Sequence, residues 1–293
     1  MARRTGGARA DGRPARGASA ALEVRRLAAE LDEREAQVRR LEGQLSALVA
    51  RMTEELRLAS AVQRSLLPAP VQYSGLDVAR EFIPFREVGG DYYDFLPLGP
   101  GRLALALGDV MGKGIPAALL AAGLKAAVRS QLPADERAVA PEVVVCRVNQ
   151  LFREIAPPSL FSSLFFGVLD TEGRVLEYVN AGHHYPFCVR RGGEVVDLGT
   201  GGTLLGLMEG AGYERGTIEL ERGDLLVFYT DGVTDRTDLA GEGYGVERLK
   251  EAARGQGADS ARLALYSLLG DVQGFSAGTP ANDDATLVVV RVR

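Results

Sequence analysis

Four short segments carry aspartates of a kind that could do chemistry together. They are VGGDYYDF around Asp91, LALALGDVMGKG around Asp109, LLVFYTDGVTD around Asp231, and NDDATLVVV around Asp283 and Asp284. In the second and third an apolar run leads straight into the Asp; in the fourth the Asp pair precedes the run. Strand ends project side chains rigidly from a sheet edge, so carboxylates far apart in sequence can meet at one point. Clustered carboxylates repel, and such a cluster persists only where a cation neutralises it. The chain has two Cys (Cys146, Cys188) and two His (His183, His184), which leaves one improbable combination for a four-ligand Cys/His zinc site. Oxygen donors select Mg²⁺ or Mn²⁺ instead. Singly, each segment is also an ordinary turn or cap, Asp-Gly being a common turn pair. Together the four point to a metal.

These carboxylates need a scaffold, and 293 residues are enough for two domains or one large one with a real core. The formal charge of −5 hides an asymmetry: residues 1–66 hold 13 basic and 9 acidic side chains, the remainder 21 and 30. A segment at +4 thus precedes one at −9. An acidic domain is a poor general nucleic-acid binder and a good host for divalent cations. No apolar stretch reaches the roughly 18 uninterrupted residues of a membrane span. The basic N-terminus lacks the apolar region of a signal peptide, and the expected setting is reducing and cytoplasmic.

Residues 1–20 are rich in Arg, Ala and Gly and are expected to be a disordered basic tail, either a solvated leader or a contact for RNA or acidic lipid. From 21 to 67 the texture is a charged helix with an apolar seam. Alternating steps of four and three from Leu27 pass through Leu31, Arg34, Val38, Leu41, Leu45, Leu48, Met52, Glu55, Ala59, Val62 and Leu66. Ten of these twelve positions are apolar, a coiled-coil repeat that predicts a homodimer, interrupted by Arg34 and Glu55 and weakened by Gly43. A long helix packed on its own domain is the alternative. Pro68 and Pro70 end the helix.

Beyond Leu76 the pattern predicts strands at RLALALGDV, SSLFFGVLD, RVLEYVN, YPFCVR, DLLVFYT and ATLVVVRV. Helices are predicted at IPAALLAAGLKAAVRSQL and PEVVVCRVNQLFREI, then at GVERLKEAARG and SARLALYSLLGDV. Helices in two pairs between blocks of strands disfavour a doubly wound parallel sheet. The fold class is α+β with mainly antiparallel sheets.

From about Leu76 to Arg293 the chain resembles the metal-dependent (PPM, protein phosphatase 2C-like) serine/threonine phosphatases, in their bacterial stage II sporulation protein E-like branch. The resemblance runs in order through EVGGDYYDF, GDVMGKGIPAALLAA, SSLFFGVLD, VNAGHHYPF, FYTDGVTD, YGVERL and NDDATLVVV. Even ELRLASAVQRSLLP looks like the helical linker that joins such domains to regulatory segments. The resemblance implies a sandwich of two antiparallel sheets flanked by helices, with two Mn²⁺ or Mg²⁺ ions at one end. It implies that Asp109 bridges both ions and that the carbonyl of Val110 binds one, with Asp91, Asp231 and Asp283 completing the set. Asp283 is preferred to Asp284 on the family's Asp-x-x-Thr spacing to Thr286. A water activated by the ions would attack the phosphoryl group directly, without a covalent phosphoenzyme.

Where eukaryotic relatives place a His two residues after the bridging Asp, this chain has Met111. The acid for the leaving oxygen then falls to a metal-held water or Lys113. Arg86 stands five residues before Asp91, where some relatives carry a phosphate-clamping Arg; otherwise it is a surface side chain. GDVMGKG is not a nucleotide phosphate loop, because its spacing differs and Lys113 is followed by Gly. His183 reads as a structural turn residue or a donor to substrate, and Cys146 and Cys188 as small core side chains.

The resulting expectation is a Mn²⁺/Mg²⁺-dependent phosphatase of phosphoserine or phosphothreonine. By family analogy its substrate is a phosphorylated anti-sigma-factor antagonist, and an activator protein acts through the coil. The alternatives are a catalytically dead coiled-coil scaffold and a phosphatase of small phosphoesters.

Overall fold

The computed structural model describes residues 14–69, 73–132, 139–256 and 260–293, with side chains from Ser19 onward. In chain order α1 (Pro14–Leu66) is followed by β1 (Leu76–Ile83), β2 (Asp91–Pro97), β3 (Arg102–Val110), α2 (Ile115–Ser130) and α3 (Pro141–Ile155). Then come β4 (Ser162–Asp170), β5 (Val175–Ala181), β6 (Phe187–Val189), β7 (Val195–Asp197), β8 (Gly201–Gly202) and β9 (Gly216–Glu219). The chain finishes with β10 (Leu225–Tyr229), α4 (Asp231–Thr234), α5 (Gly245–Arg254), α6 (Ala261–Phe275) and β11 (Ala285–Val292). Two compact units divide it, one ending at Leu56 and one spanning Arg57–Arg293.

The first unit is helix. Along it every apolar seam residue from Leu27 to Met52 is more than half-exposed, and Arg26–Glu30, Glu35–Arg39 and Arg51–Glu55 pair one turn apart. Most of the basic tail lies outside the described residues, but 14–20, assigned to it from composition, are helical. Among the described residues no helix is long and apolar enough to cross a membrane.

The second unit is a four-layer sandwich. One sheet has the order β1-β11-β10-β6-β7, the other β2-β3-β4-β5-β8 with β9 also on β5. Every pairing is antiparallel except the two-residue β5–β8 ladder. Strict alternation explains the layers. In β3, Leu103, Leu105 and Leu107 point into the space between the sheets, where they meet Leu226, Phe228, Val288 and Val290. The intervening Ala104 and Ala106 pack under α2 and α3. On the other sheet, Val227, Leu287 and Val289 face α5 and α6. Each large side chain so buried contributes about 2 kcal/mol of transfer free energy. Cys188 is fully buried between the sheets, which pushes its thiol up to about 12, and Cys146 packs beside α3's core face.

The six anticipated strands and four anticipated helices are present, α6 extending to Phe275. Strands β1, β2, β7, β8 and β9 were not anticipated. The most consequential is β2: the segment read as an Asp-bearing turn is a strand that opens at Asp91.

Candidate metal site

Four strand ends converge at one edge of the sandwich. Asp91 opens β2 and lies directly opposite Asp109, near the end of β3, in the antiparallel register. Strand β10 stops at Tyr229, so Asp231 falls two residues past its end, and Asp283 and Asp284 immediately precede β11. The four segments therefore meet although 192 residues separate Asp91 from Asp283. A cleft of about 360 Å³ is lined here by Asp109, Val110, Lys113, Asp231 and Asp283, with Met111 at its rim. Its floor turns sharply through Gly112 and Gly114, whose φ angles of 103° and 72° favour glycine, and α2 starts at once at Ile115. Gly90 keeps the neighbouring backbone close, since a Cβ there would stand 2.8 Å from the carbonyl oxygen of Val110.

The two adjacent aspartates separate by role. Asp284 accepts the backbone N–H groups of Phe85 and Gly90, each at 2.7 Å, and so holds the turn before β2. Asp283 faces the cleft, where its carboxylate pairs with Lys113 at 2.7 Å. This geometry favours Asp283 over Asp284 as the ligand.

Asp91 is buried below the cleft at 3% exposure, and its Oδ2 accepts hydroxyl protons from Thr230 at 2.7 Å and Thr286 at 2.5 Å. Thr286 lies in β11 and Thr230 directly follows β10, both of the opposite sheet, so this carboxylate joins the two sheets at the site. Asp109 is held by its backbone. Its N–H donates to Ser163 Oγ at 3.3 Å, and its carbonyl accepts from Ser162 Oγ at 2.8 Å. Ser163 is within 2.7 Å of His183 Nδ1, while His183 Nε2 lies 3.1 Å from the carbonyl of Tyr229. That carbonyl can only accept, so the ring carries its proton on Nε2 and Ser163 donates to Nδ1. Burial, reinforced by His184, holds the His183 pKa down to about 3, which keeps it neutral. His183 thus ties the Asp109 strand to the β10 strand that leads to Asp231.

Sequence reasoning missed Ser162, Ser163 and Thr230. Their only signal is placement, a Ser pair opening a strand and a Thr between a strand and its Asp. Asp94 is a fifth carboxylate nearby with a different role: fully buried, it is gripped by Lys125 at 2.8 Å and by Arg129 at 2.7 and 3.0 Å, which fastens α2 to β2.

The electrostatics are those of carboxylates held together against repulsion. Burial, then Asp231, Asp283 and Asp284, push the Asp109 carboxyl up to about 7, against a smaller pull from Lys113. Burial and then Asp109 raise Asp91 well above the carboxylate range despite its two hydroxyl donors. Asp231 is raised by burial, Asp283 and Asp235, and relieved partly by His184.

This donor set suits a hard cation: carboxylates, the Val110 backbone at the cleft wall and no thiolate. Among the described residues no three acidic, imidazole or thiol groups form a ready-made cage. Ions here would keep part of their water shell, as Mg²⁺ does when only one or two carboxylates reach it. Arg86 lies outside the cleft on an exposed turn, its guanidinium 5.5 Å from the Phe85 ring, with Lys113 Nζ 5.3 Å from the same ring.

Two sheets packed face to face, with helices outside and aspartates gathered at one edge, define a PP2C-type phosphatase fold. The profile of the family described as Stage II sporulation protein E (SpoIIE) matches residues 99–293, and the chain belongs to that family. Phosphoserine phosphatase RsbU of Bacillus subtilis (strain 168) is 31% identical over 241 residues, covering 81% of this chain and 70% of RsbU. The SiaA-PP2C domain of Pseudomonas aeruginosa superposes with a TM-score of 0.75 at 20% identity, over 84% of this chain and 99% of that domain. RsbX, solved in complex with magnesium, superposes at 0.57 with 17% identity, over 76% of this chain and 98% of RsbX.

Proposed function

We propose that the protein is a Mn²⁺/Mg²⁺-dependent phosphatase of phosphoserine or phosphothreonine in proteins, using two ions. The observation that carries this reading is the convergence of Asp109, Asp231, Asp283 and the Val110 backbone on one cleft at the edge of a PP2C-type sandwich. RsbU, a phosphoserine phosphatase by name, supports the substrate class, and the magnesium complex of RsbX supports the ion. When bound, the ions supply an activated water and neutralise phosphoryl charge.

The chain's own groups have distinct tasks. Asp109, Asp231 and Asp283 hold the ions, with Asp91 reached from beneath. Ser162, Ser163 and His183 fix the position of Asp109. Lys113 is the one Lys or Arg among the described residues lining the cleft, and its ammonium is the side-chain candidate, beside a metal-held water, for protonating the leaving oxygen. Arg86 would serve phosphate only after its turn moves towards the cleft.

The same reading extends to a cytoplasmic setting and to a small phosphorylated anti-sigma-factor antagonist as substrate. The exposed seam of α1 supports a homodimer on which an activator protein acts. Its last turns provide a coupling point: Gln63 donates to the Gly89 carbonyl at 2.6 Å and accepts the Gly89 N–H at 3.1 Å, one residue from Gly90 and two from Asp91. Sedimentation showing a monomer at micromolar concentration, with and without candidate activators, would remove the dimer from the proposal.

The central test is hydrolysis of an aryl phosphate and of a phosphoserine peptide, with Mn²⁺, with chelator, and in Asp109→Asn and Asp231→Asn. Activity that requires Mn²⁺ and disappears in both variants is expected. Activity that survives chelator or both substitutions would sink the metal mechanism. Preference for free nucleotides over the peptide would move the substrate to small phosphoesters.

A further inference from the structure

The opposite end of the β1-β11-β10-β6-β7 sheet carries a second cavity, of about 510 Å³, that the phosphatase reading does not use. It lies where β6 and β11 end and β10 begins, beside the C-terminus of α5, and six arginines line it: Arg190, Arg191, Arg222, Arg254, Arg291 and Arg293. None of its described lining residues is acidic. Three of the six arginines meet a carboxylate outside the lining, Arg190 with Asp224 at 2.6 Å, Arg254 with Glu251 at 2.6 Å, and Arg293 with Asp77. Among the described residues Arg191 and Arg222 form no ion pair, and Arg291 is buried at 4% exposure with Nη1 donating to the Gly223 carbonyl at 3.3 Å.

A guanidinium cannot shed its proton, so this cavity is permanently positive, in a domain whose net charge is strongly negative. Concentrating like charge around a hollow costs folding free energy, and a bound polyanion offsets it. The forked donors of several arginines match phosphate oxygens bidentately, and the volume is that of a small-ligand site rather than of a groove for a long chain. Val189, Leu225 and Val292 supply apolar wall between the charges. We infer that this cavity binds a small ligand carrying several phosphates, either a nucleoside polyphosphate or a short inorganic polyphosphate. The site is separate from the cleft that holds Asp109, and the inference does not depend on the hydrolytic reading.

Calorimetric titration of the full chain in metal-free buffer at low salt, with inorganic triphosphate and with ATP, tests this. One site per chain is expected for at least one probe, weakening as salt rises. The double variant Arg191→Glu/Arg222→Glu alters two exposed side chains and should lower the affinity at least tenfold with a melting temperature no lower than that of the unsubstituted protein. Asp109→Asn, at the other end, should leave it unchanged. Equal affinity for both probes assigns recognition to the phosphates, and tighter ATP binding adds the nucleoside. Binding of neither probe, binding indifferent to the double variant, or loss of binding in Asp109→Asn would overturn the proposal.

Discussion

Asp91 and Asp109 are direct cross-strand partners, two carboxylates facing each other across the β2–β3 ladder with the Asp109 carboxyl raised to about 7. Like charges opposite one another destabilise a ladder, and the hydroxyls of Thr230 and Thr286 on Asp91 and the charge of Lys113 near Asp109 offset this only in part.

The pair makes the metal-free protein pH-sensitive, with a definite sign. A carboxyl whose folded pKa is raised binds more protons folded than unfolded, so stability falls as pH climbs through the interval up to about 7. Asp91, Asp231 and Asp284 are raised too and act in the same direction. His183 opposes them, but only below its ordinary value of 6.5, because its folded pKa is depressed. Above pH 6.5 the carboxylates alone remain. The melting temperature of the metal-free protein should therefore fall between pH 6.5 and about 8, less so in Asp109→Asn, and Mn²⁺ should restore it. A flat profile would contradict the geometry.

Removing one of the carboxylates proposed to hold the ions should act on turnover rather than on folding. Asp109→Asn and Asp231→Asn are each expected to cut kcat by about 10³-fold or more while the far-ultraviolet dichroism stays unchanged.

Ser163 offers a subtler probe, because it lines the cleft beside Asp109, whose N–H it accepts, and hydrogen-bonds His183, yet offers no carboxylate of its own to an ion. Ser163→Ala removes the acceptor for the Asp109 N–H and the donor to His183 Nδ1. An outer-shell loss of this kind should weaken Mn²⁺ affinity by about 10-fold. Calorimetric titration with Mn²⁺ checks it, and His183→Ala should produce a loss of the same kind. Wild-type affinity in both variants would mean that the link is structural only.

Asp94 predicts a pure stability effect. Asp94→Ala leaves the largely buried Lys125 and the half-exposed Arg129 without their shared carboxylate, at a cost of about 3 kcal/mol. Urea denaturation should show a lower midpoint with an unchanged slope.

The long strand runs were legible because RLALALGDV is a continuous Leu/Ala run ending at Gly-Asp and ATLVVVRV is rich in β-branched residues, and the paired helices because their periodicity is strong. Strand β2 was not, since GGDYYDF begins like a turn and only its pairing with β3 makes it a strand. Strands β7, β8 and β9, of two to four residues, are too short for a period to show. At the site, the Asp positions were visible as punctuation at strand ends, whereas Ser163 and Thr230 act through partners that only folding brings near. Arg86 was chosen by position in sequence, and its exposed turn carries it out of the cleft.

Strand β11 begins next to two aspartates and ends in two arginines, eight residues or roughly 26 Å apart. That span exceeds the screening length of physiological salt, about 8 Å, several times over. The domain therefore has a permanent electric dipole along this sheet, large in dilute buffer and felt by an approaching ion as two separate poles at cellular ionic strength. Divalent cations held at the acidic pole, as proposed, would shrink the dipole without disturbing the basic one, so metal occupancy would alter how the whole domain orients in an external field.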